Sequence, residues 1–588
     1  MVYSTHSRVR GSSIVVLALI AAACGPAANG NGPTVVPPAE GAPSVSPSST
    51  ESKPLPTGDT AAVPAPNSLI VTGRLRSFGE LESQLHVSTS SIFGEAFGSA
   101  REAFDTGQPV DFAVTASGKG RGLKGAVAFS FPIKNNTLTR TAIEQHDHVT
   151  EKDGILYLED KHGEGDKTRC AVANSFGAAT HRMICASDGS SLDAIAPYLA
   201  RTLTREEVKN LVSMRVDFRP LHETVHSLRK FADIAIEDRL GRREMELLKP
   251  LLGPMLDAYV DYIGDMSTAD LAIDAGSADV NASLTFHYES SKSRITKSLL
   301  ARADRNHPPA QAFLQLPKDT KLAMAHGGIP KESQALLTEY KQAMTSVLGH
   351  MPAGGVMAKE KEQITKTLLD LVDLVTADAP GVYAFGNEGG FGSLKYNQKQ
   401  MWVALEQELP AAKWIAIAKR IQGQKMLHGF VKFGPAPAAR NLPAGTFTLD
   451  INVPRGPTYA LAIVPLSKGR ALVAFGGSEA ALRRVVDSVA GKEVEFGSLP
   501  AIDALKLQPS SSFFAVRANA FDLPGVSDSD FVTMTSTATS SGDGGTGTIK
   551  LSAPKSLVSM LFGVLKHMGG GGGGRYAEPK VGPAEPDN

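Results

Sequence analysis

The chain has 588 residues, and its 60 Lys plus Arg equal its 60 Asp plus Glu. There is thus no basic field for nucleic acid and no acidic tail. Three cysteines exclude a disulfide framework, and the length calls for several folding units rather than one core.

Arg8 and Arg10 precede about ten apolar residues, Ile14 to Ala23, and then Cys24-Gly25. A run of that length is half of what a spanning helix needs, so it reads as the apolar region of a signal peptide. Small residues Ala21, Ala22 and Ala23 leading into Cys24 resemble a bacterial lipoprotein signal. The resemblance implies removal of residues 1–23, acylation of Cys24 and export to the cell envelope. Ala21 departs from the Leu usual at its position, and an ordinary secretory signal cut near Ala23 is the alternative. Gly25, where inner-membrane retention uses Asp, leans the expectation towards the outer membrane, with the body in the periplasm. Each buried methylene of an acyl chain contributes roughly 0.8 kcal/mol, so several chains hold a protein durably. After the signal, no apolar run approaches spanning length.

Residues 24–66 are rich in Pro, Ala and Ser, which predicts a disordered tether from the lipidated cysteine. Its reach is about 35 Å as a coil and at most roughly 130 Å as polyproline. A strand is predicted over Leu69–Leu75, then helical patterns to about Phe104. Val110–Ala116 and Gly125–Phe131 form a hairpin about a glycine-rich turn, and a short helix from Asn136 precedes strands near 154–159, 168–174 and 181–186. Ser190 or Ser191 caps a helix to about Thr202. After a strand over Leu211–Phe218, Pro220 opens a helical tract to Ile263, interrupted at Gly253-Pro254. Strands Ala269–Ala275 and Ala282–Tyr288 and a helix over Ser290–Ala303 complete this part.

From Leu316 the order runs again. Pro317–Met324 echoes Pro66–Thr72, and Ala471–Ser478 echoes Met183–Ser190. Ser511–Arg517 echoes Ser213–Phe218, and the strand from Thr548 echoes that from Ser283. Four echoes in one order predict two diverged copies of an α+β module, residues 67–304 and 316–568, with mostly antiparallel sheets and packed helices. Residues 569–588, opening on an unbroken glycine run, read as a disordered tail.

His222-Glu223-Thr224-Val225-His226 resembles the pentapeptide of zinc metallopeptidases, in which histidines four apart on a helix hold zinc and the glutamate polarises water. Pro220, the cation Arg219 and the lack of a Gly-x-x-His completion depart from that pattern. With Pro220 as first helical residue, the stretch is instead a solvated helix start. Gly120-Arg-Gly122-Leu-Lys-Gly125 matches a nucleotide-binding glycine pattern, but a strand follows where a phosphate-binding helix is needed. His146-Asp147-His148, alone or with His162 or His181, reads as a solvated polar turn, and Trp402 and Trp414 as core or sheet-edge fillers. If 168–174 and 181–187 pair, Cys170 faces Cys185 and Val172 faces Met183. A disulfide and two buried thiols both remain open there.

No convergent catalytic set emerges. The leading expectation is a non-enzymatic, lipid-anchored envelope protein for binding or assembly, without cofactor, its partners a membrane and an unidentified protein or small apolar ligand. The alternative is a zinc-dependent hydrolase using His222, Glu223 and His226.

Overall fold

Period-two alternation along short segments produces twenty strands among the described residues, and each of them finds an antiparallel neighbour. A computed structural model of the chain describes residues 53–560, apart from 87–102, 118–123, 135–139, 161–168, 178–179, 188, 228, 230–241, 304–310, 329, 351–355, 388–399, 453–457, 492–493, 506–511, 522–526 and 528. The signal stretch, tether residues 24–52, Gly120, Gly122, His162 and the tail 569–588 lie outside the described residues.

The first ten strands are β1 (Leu69–Leu75), β2 (Val110–Ser117), β3 (Lys124–Pro132), β4 (Asp147–Lys152), β5 (Ile155–Asp160), β6 (Arg169–Asn174), β7 (His181–Ala186), β8 (Val212–Asp217), β9 (Met266–Ala275) and β10 (Asp279–Tyr288). The second ten are β11 (Thr320–His326), β12 (Gly381–Gly386), β13 (Trp402–Gln407), β14 (Val431–Pro435), β15 (Phe447–Asn452), β16 (Thr458–Pro465), β17 (Ala471–Gly476), β18 (Ser512–Arg517), β19 (Phe531–Ser541) and β20 (Gly544–Pro554).

All twenty join one antiparallel sheet. Its first half runs β4-β5-β6-β7-β3-β2-β1-β8-β9-β10. The second half continues β20-β19-β18-β11-β12-β13-β17-β16-β15-β14. The strand order of one half is that of the other reversed about the β10–β20 ladder, each strand matching the one ten places later.

Helices cover both faces. Those of seven or more described residues are α1 (Phe78–Leu85), α2 (Arg140–His146), α3 (Gly189–Pro197, continued by a π turn over Tyr198–Thr202), α4 (Arg242–Asp265), α5 (Arg294–Leu300), α6 (Gln334–His350), α7 (Val356–Val375), α8 (Ala411–Gln422) and α9 (Glu479–Ala490). Serine hydroxyls accept from the first turns of three of them: Ser77 from the Glu80 amide, Ser293 from Thr296 and Ser478 from Ala481. On one face, α3 sets Leu192 and Ile195 against Ala171, Ala173 and Ile184, while α9 sets Leu482, Val485 and Val486 against Ala462, Val464 and Leu472. On the other face, Phe78, Leu81 and Leu85 of α1 bury Val110 and Phe131, and Trp414 and Ile417 of α8 bury Ile463. Each fully buried Leu or Ile contributes roughly 2 kcal/mol.

Several elements differ from expectation. Helix α4 passes through Gly253-Pro254 without a break, because its packing on α5 and α6 outweighs the lost proline hydrogen bond. His146 ends α2, while Asp147 and His148 begin strand β4, so that stretch is no polar turn. The Asp153-Gly154 turn, with φ values of 54° and 72°, closes the β4–β5 hairpin and sets β4 as an edge strand. The predicted helix from Ser290 begins instead at Arg294, behind its Ser293 cap. Finally, residues 53–66 of the predicted disordered tether are hydrogen-bonded to the body rather than loose.

Candidate functional site

Polar residues concentrate on one face of the central strands β8, β9, β10 and β20. Alternation brings Arg215, Asp270, Thr285 and Thr548 into one row across these strands. Asp217, Thr268, His287 and Thr546 form the row beside it. Arg215 donates through Nε to Asp270 Oδ1 at 2.7 Å and through Nη2 to Oδ2 at 3.2 Å. His287 Nε2 lies 2.9 Å from Asp270 Oδ2. A carboxylate only accepts, so Nε2 is the donor in this contact.

Burial pushes the Asp270 carboxyl up, but the hydrogen bond and charge of Arg215, with His287, hold it below the usual carboxylate range. Next to this group, Arg219 clasps Asp217 at 2.9 and 2.6 Å and lowers its pKa through that hydrogen bond. The hydroxyls near His287 bond to one another, Thr285 to Thr548 at 3.1 Å and Thr539 to Thr546 at 2.5 Å. The strip is therefore a hydrogen-bonding surface with an exposed arginine and a fixed imidazole. It aligns no nucleophile on that imidazole among the described residues.

The HETVH stretch begins as expected, with Pro220 in a 3₁₀ turn, Arg219–Leu221, that leads into a helix over 222–227. His222 Nε2 donates to the Met266 carbonyl at 3.0 Å, so only Nδ1 is left to ligate. Glu223 and His226 are exposed, and no third His, Cys, Asp or Glu gathers with them into a metal-holding group among the described residues.

The other sequence candidates also lie apart. His148 on β4 is exposed, and two strands separate it from His181 on β7, a gap of about 14 Å. The His181 ring contacts Thr180 Oγ1 and the Pro56 carbonyl. Gly125 lies on β3 opposite Ala116. Trp402 and Trp414 are both buried. Cys170 stands opposite Cys185 and Val172 opposite Met183, with the two sulfurs 2.08 Å apart.

Two buried charge centres had no place in the sequence reading. In the first half, Asp111 is 0% exposed between Arg74 and Arg182. Arg74 Nε donates to Asp111 Oδ1 at 2.6 Å. Arg182 Nη2 lies 3.0 Å from Asp111 Oδ2, but it donates to the carbonyls of Pro109 and Ser130, both at 2.8 Å. That leaves its contact with Asp111 a charge attraction rather than a hydrogen bond, and Oδ2 accepts none. Arg182 Nε donates to Ser130 Oγ at 2.7 Å. Burial lowers the pKa of Arg182, Asp111 raises it and Arg74 lowers it further. In the second half, Arg470 Nε donates to buried Glu406, whose carboxyl burial lifts above its usual range against the pull of that arginine. The available signal was the arginine standing one residue ahead of each echo, Arg182 before Met183 and Arg470 before Ala471.

Compared with protein families, with curated proteins and with solved structures, the chain finds no match. No helix among the described residues is long and apolar enough to cross a membrane.

Proposed function

We propose that the chain is an exported envelope protein, held to a membrane by acyl groups on Cys24, whose body is a non-enzymatic binding or assembly unit made of two diverged copies. The anchor rests on the small-residue box Ala21–Ala23 directly before Cys24, behind a short apolar run.

The duplication rests on one row of paired residues that crosses the sheet. From its centre, Ser283 opposite Lys550, the row runs outward through Ala272, Ser213, Arg74, Asp111 and Ser130 to Ile184. In the other direction it runs through Thr535, Phe513, Ala325, Val382 and Glu406 to Leu472. Equal numbers of steps reach Arg74 and Ala325, whose separation is that of Pro66 and Pro317. They also reach Ile184 and Leu472, whose separation is that of Met183 and Ala471. Two sequence echoes on different strands thus fall into one register, which chance strand–turn–helix junctions would not do.

The ends of the halves cross over in the same sense. Helix α5, after β10, packs on β19 and β20. The helix over 555–560, after β20, places Val558 in the core beneath α1, and Ser559 Oγ donates to the Leu85 carbonyl at 2.5 Å. Such reciprocal exchange is what a fused two-fold dimer retains.

The polar strip over Arg215, Asp270 and His287 is the surface this body offers to a partner, since its ionic groups are satisfied yet solvent-facing. The reading is tested by feeding cells a fatty-acid analogue and following the protein. Label in the natural chain that disappears in Cys24→Ala is expected. An unlabelled protein that partitions into the aqueous phase would overturn it.

A further inference from the structure

Residues 53–66 contain no helix or strand, yet the body grips their backbone at five points. The Lys53 amide donates to Thr141 Oγ1 at 3.1 Å, and His181 Nε2 donates to the Pro56 carbonyl at 3.0 Å. Asn174 Nδ2 donates to the Gly58 carbonyl at 2.9 Å, and Arg205 Nη2 to that of Thr60 at 2.7 Å. Thr202 Oγ1 accepts from the Val63 amide at 2.8 Å and donates to the Val63 carbonyl at 2.6 Å.

Apolar contacts hold the same segment. Leu55 packs with Ile143, Leu156 and Val172 on one face of the sheet, and Val63 packs on the core of the opposite face. Between them Gly58 lies on Gly154 so closely that a Cβ would stand 2.9 Å from the Gly154 Cα. The segment therefore passes around the strand ends from face to face. Two of its grips, Asn174 and His181, are opposite one another and lie within the loop closed by Cys170 and Cys185.

We propose that this strap fixes where the leash leaves the body, and so makes the β4 end of the sheet the surface that faces lipid. The inference rests on the anchor at Cys24. The strap's outer end, Lys53, sits beside α2, which packs on the edge strand β4. From Cys24 to Lys53, a flexible coil of that composition averages about 30 Å. The nineteen strand spacings from β4 to β14 amount to about 90 Å along the sheet. The leash is thus short against the body, and β14 projects away from the membrane. Were the first fixed point Leu69, at the start of β1 in the middle of the first half, this polarity would weaken.

The test uses the acylated chain on vesicles that carry an energy-accepting lipid. With Cys24 acylated and Cys170–Cys185 bonded, a cysteine introduced at exposed His148 on β4 or at exposed Lys432 on β14 takes a donor dye. Several-fold more transfer from His148→Cys than from Lys432→Cys is expected, and equal or reversed transfer overturns the orientation. The double variant Asn174→Ala/Thr202→Val should shrink that difference. Gly58→Val, which forces the strap off Gly154 while leaving every side chain that grips it in place, should do the same if the double variant misfolds.

Hydrogen exchange on the unacylated Cys24→Ala chain reads the strap alone. A Val63 amide protected in that chain and exposed in Gly58→Val supports the strap, whereas fast exchange in the former removes it. A chain that never joins the vesicles while Val63 stays protected would overturn the anchor, and the orientation with it, while leaving the strap intact.

Discussion

The two halves of the sheet solve one electrostatic problem in two ways. Arg182 and Arg470 occupy equivalent places, one residue before their strands' matching segments, and each aims its guanidinium at the strand next door. In the first half the counter-charge is Asp111 on β2, shared with a second arginine, Arg74. In the second half Val382 takes the place of Asp111, Ala325 that of Arg74, and the acid stands one strand further on, as Glu406 in the place of Ser130. The pattern common to the halves is an arginine, buried at Arg182 and partly buried at Arg470, with an anion in reach, not a particular pair. A guanidinium drawn out of water needs a compensating charge, and a neighbouring position on the same face can supply it.

The largest effect should come from removing Asp111, because Asp111→Ala leaves two buried arginines without an anion. A loss of roughly 3–5 kcal/mol in urea unfolding is expected. Arg470→Ala should cost less, since burial raises the pKa of the Glu406 carboxyl, which can take up a proton once the opposing arginine is gone. A cost for Arg470→Ala equal to or above that of Asp111→Ala would break the comparison.

The second contrast is the cross-strand pair Cys170–Cys185, whose counterpart is Ile463 opposite Val473. Replacing both cysteines with alanine should remove about 3 kcal/mol. The double variant Cys170→Ile/Cys185→Val, which copies the second half, should lose less because an apolar pair refills the site. Thiol titration of the denatured, unreduced protein checks the starting point, where two reactive thiols would contradict the bond.

The third contrast sets Leu75 in the first half against His326 in the second. His326 stacks on Tyr383 with ring centres 5.2 Å apart and accepts from the Gly328 amide at 3.1 Å. Burial, assisted by the charge of Arg302, lowers its pKa to about 4. The unfolded chain titrates near 6.5, so it takes the proton first as the pH falls. Stability is full above that pH and is lost on the way down towards pH 4, by at most about 3 kcal/mol. His326→Leu should flatten this part of the acid-unfolding profile, and an unchanged slope would assign the lability elsewhere.

Much of the local pattern was legible. The β6–β7 register followed from alternation and two cysteines, because a hairpin with a short turn has few pairings that keep one face apolar. The four echoes fall on β1 and β11, β7 and β17, β8 and β18, and β10 and β20, each at matching places in the sheet order. The strap escaped because its backbone is held by side chains 88 to 145 residues distant, and such grips leave no period in the sequence. Helix α4 ran through its glycine and proline because its partners lie in other parts of the chain. Asp111, Arg74 and the Arg215–Asp270–His287 group were unreadable for the same reason, as three strands or more contribute to each and none is marked by spacing.

By itself the sequence determined the period-two and helical segments, the hairpin that sets Cys170 opposite Cys185, the order of the four echoes, and the short apolar run that leads into Cys24. Those depend on residues within one or two turns of each other, where sterics and solvent act on neighbours. Tertiary structure alone decided that both halves share one sheet through β10 and β20, which residues face each other across it, and where buried charge finds its partner. Those outcomes depend on pairing between segments far apart in the chain, whose energies exist only once the strands have met.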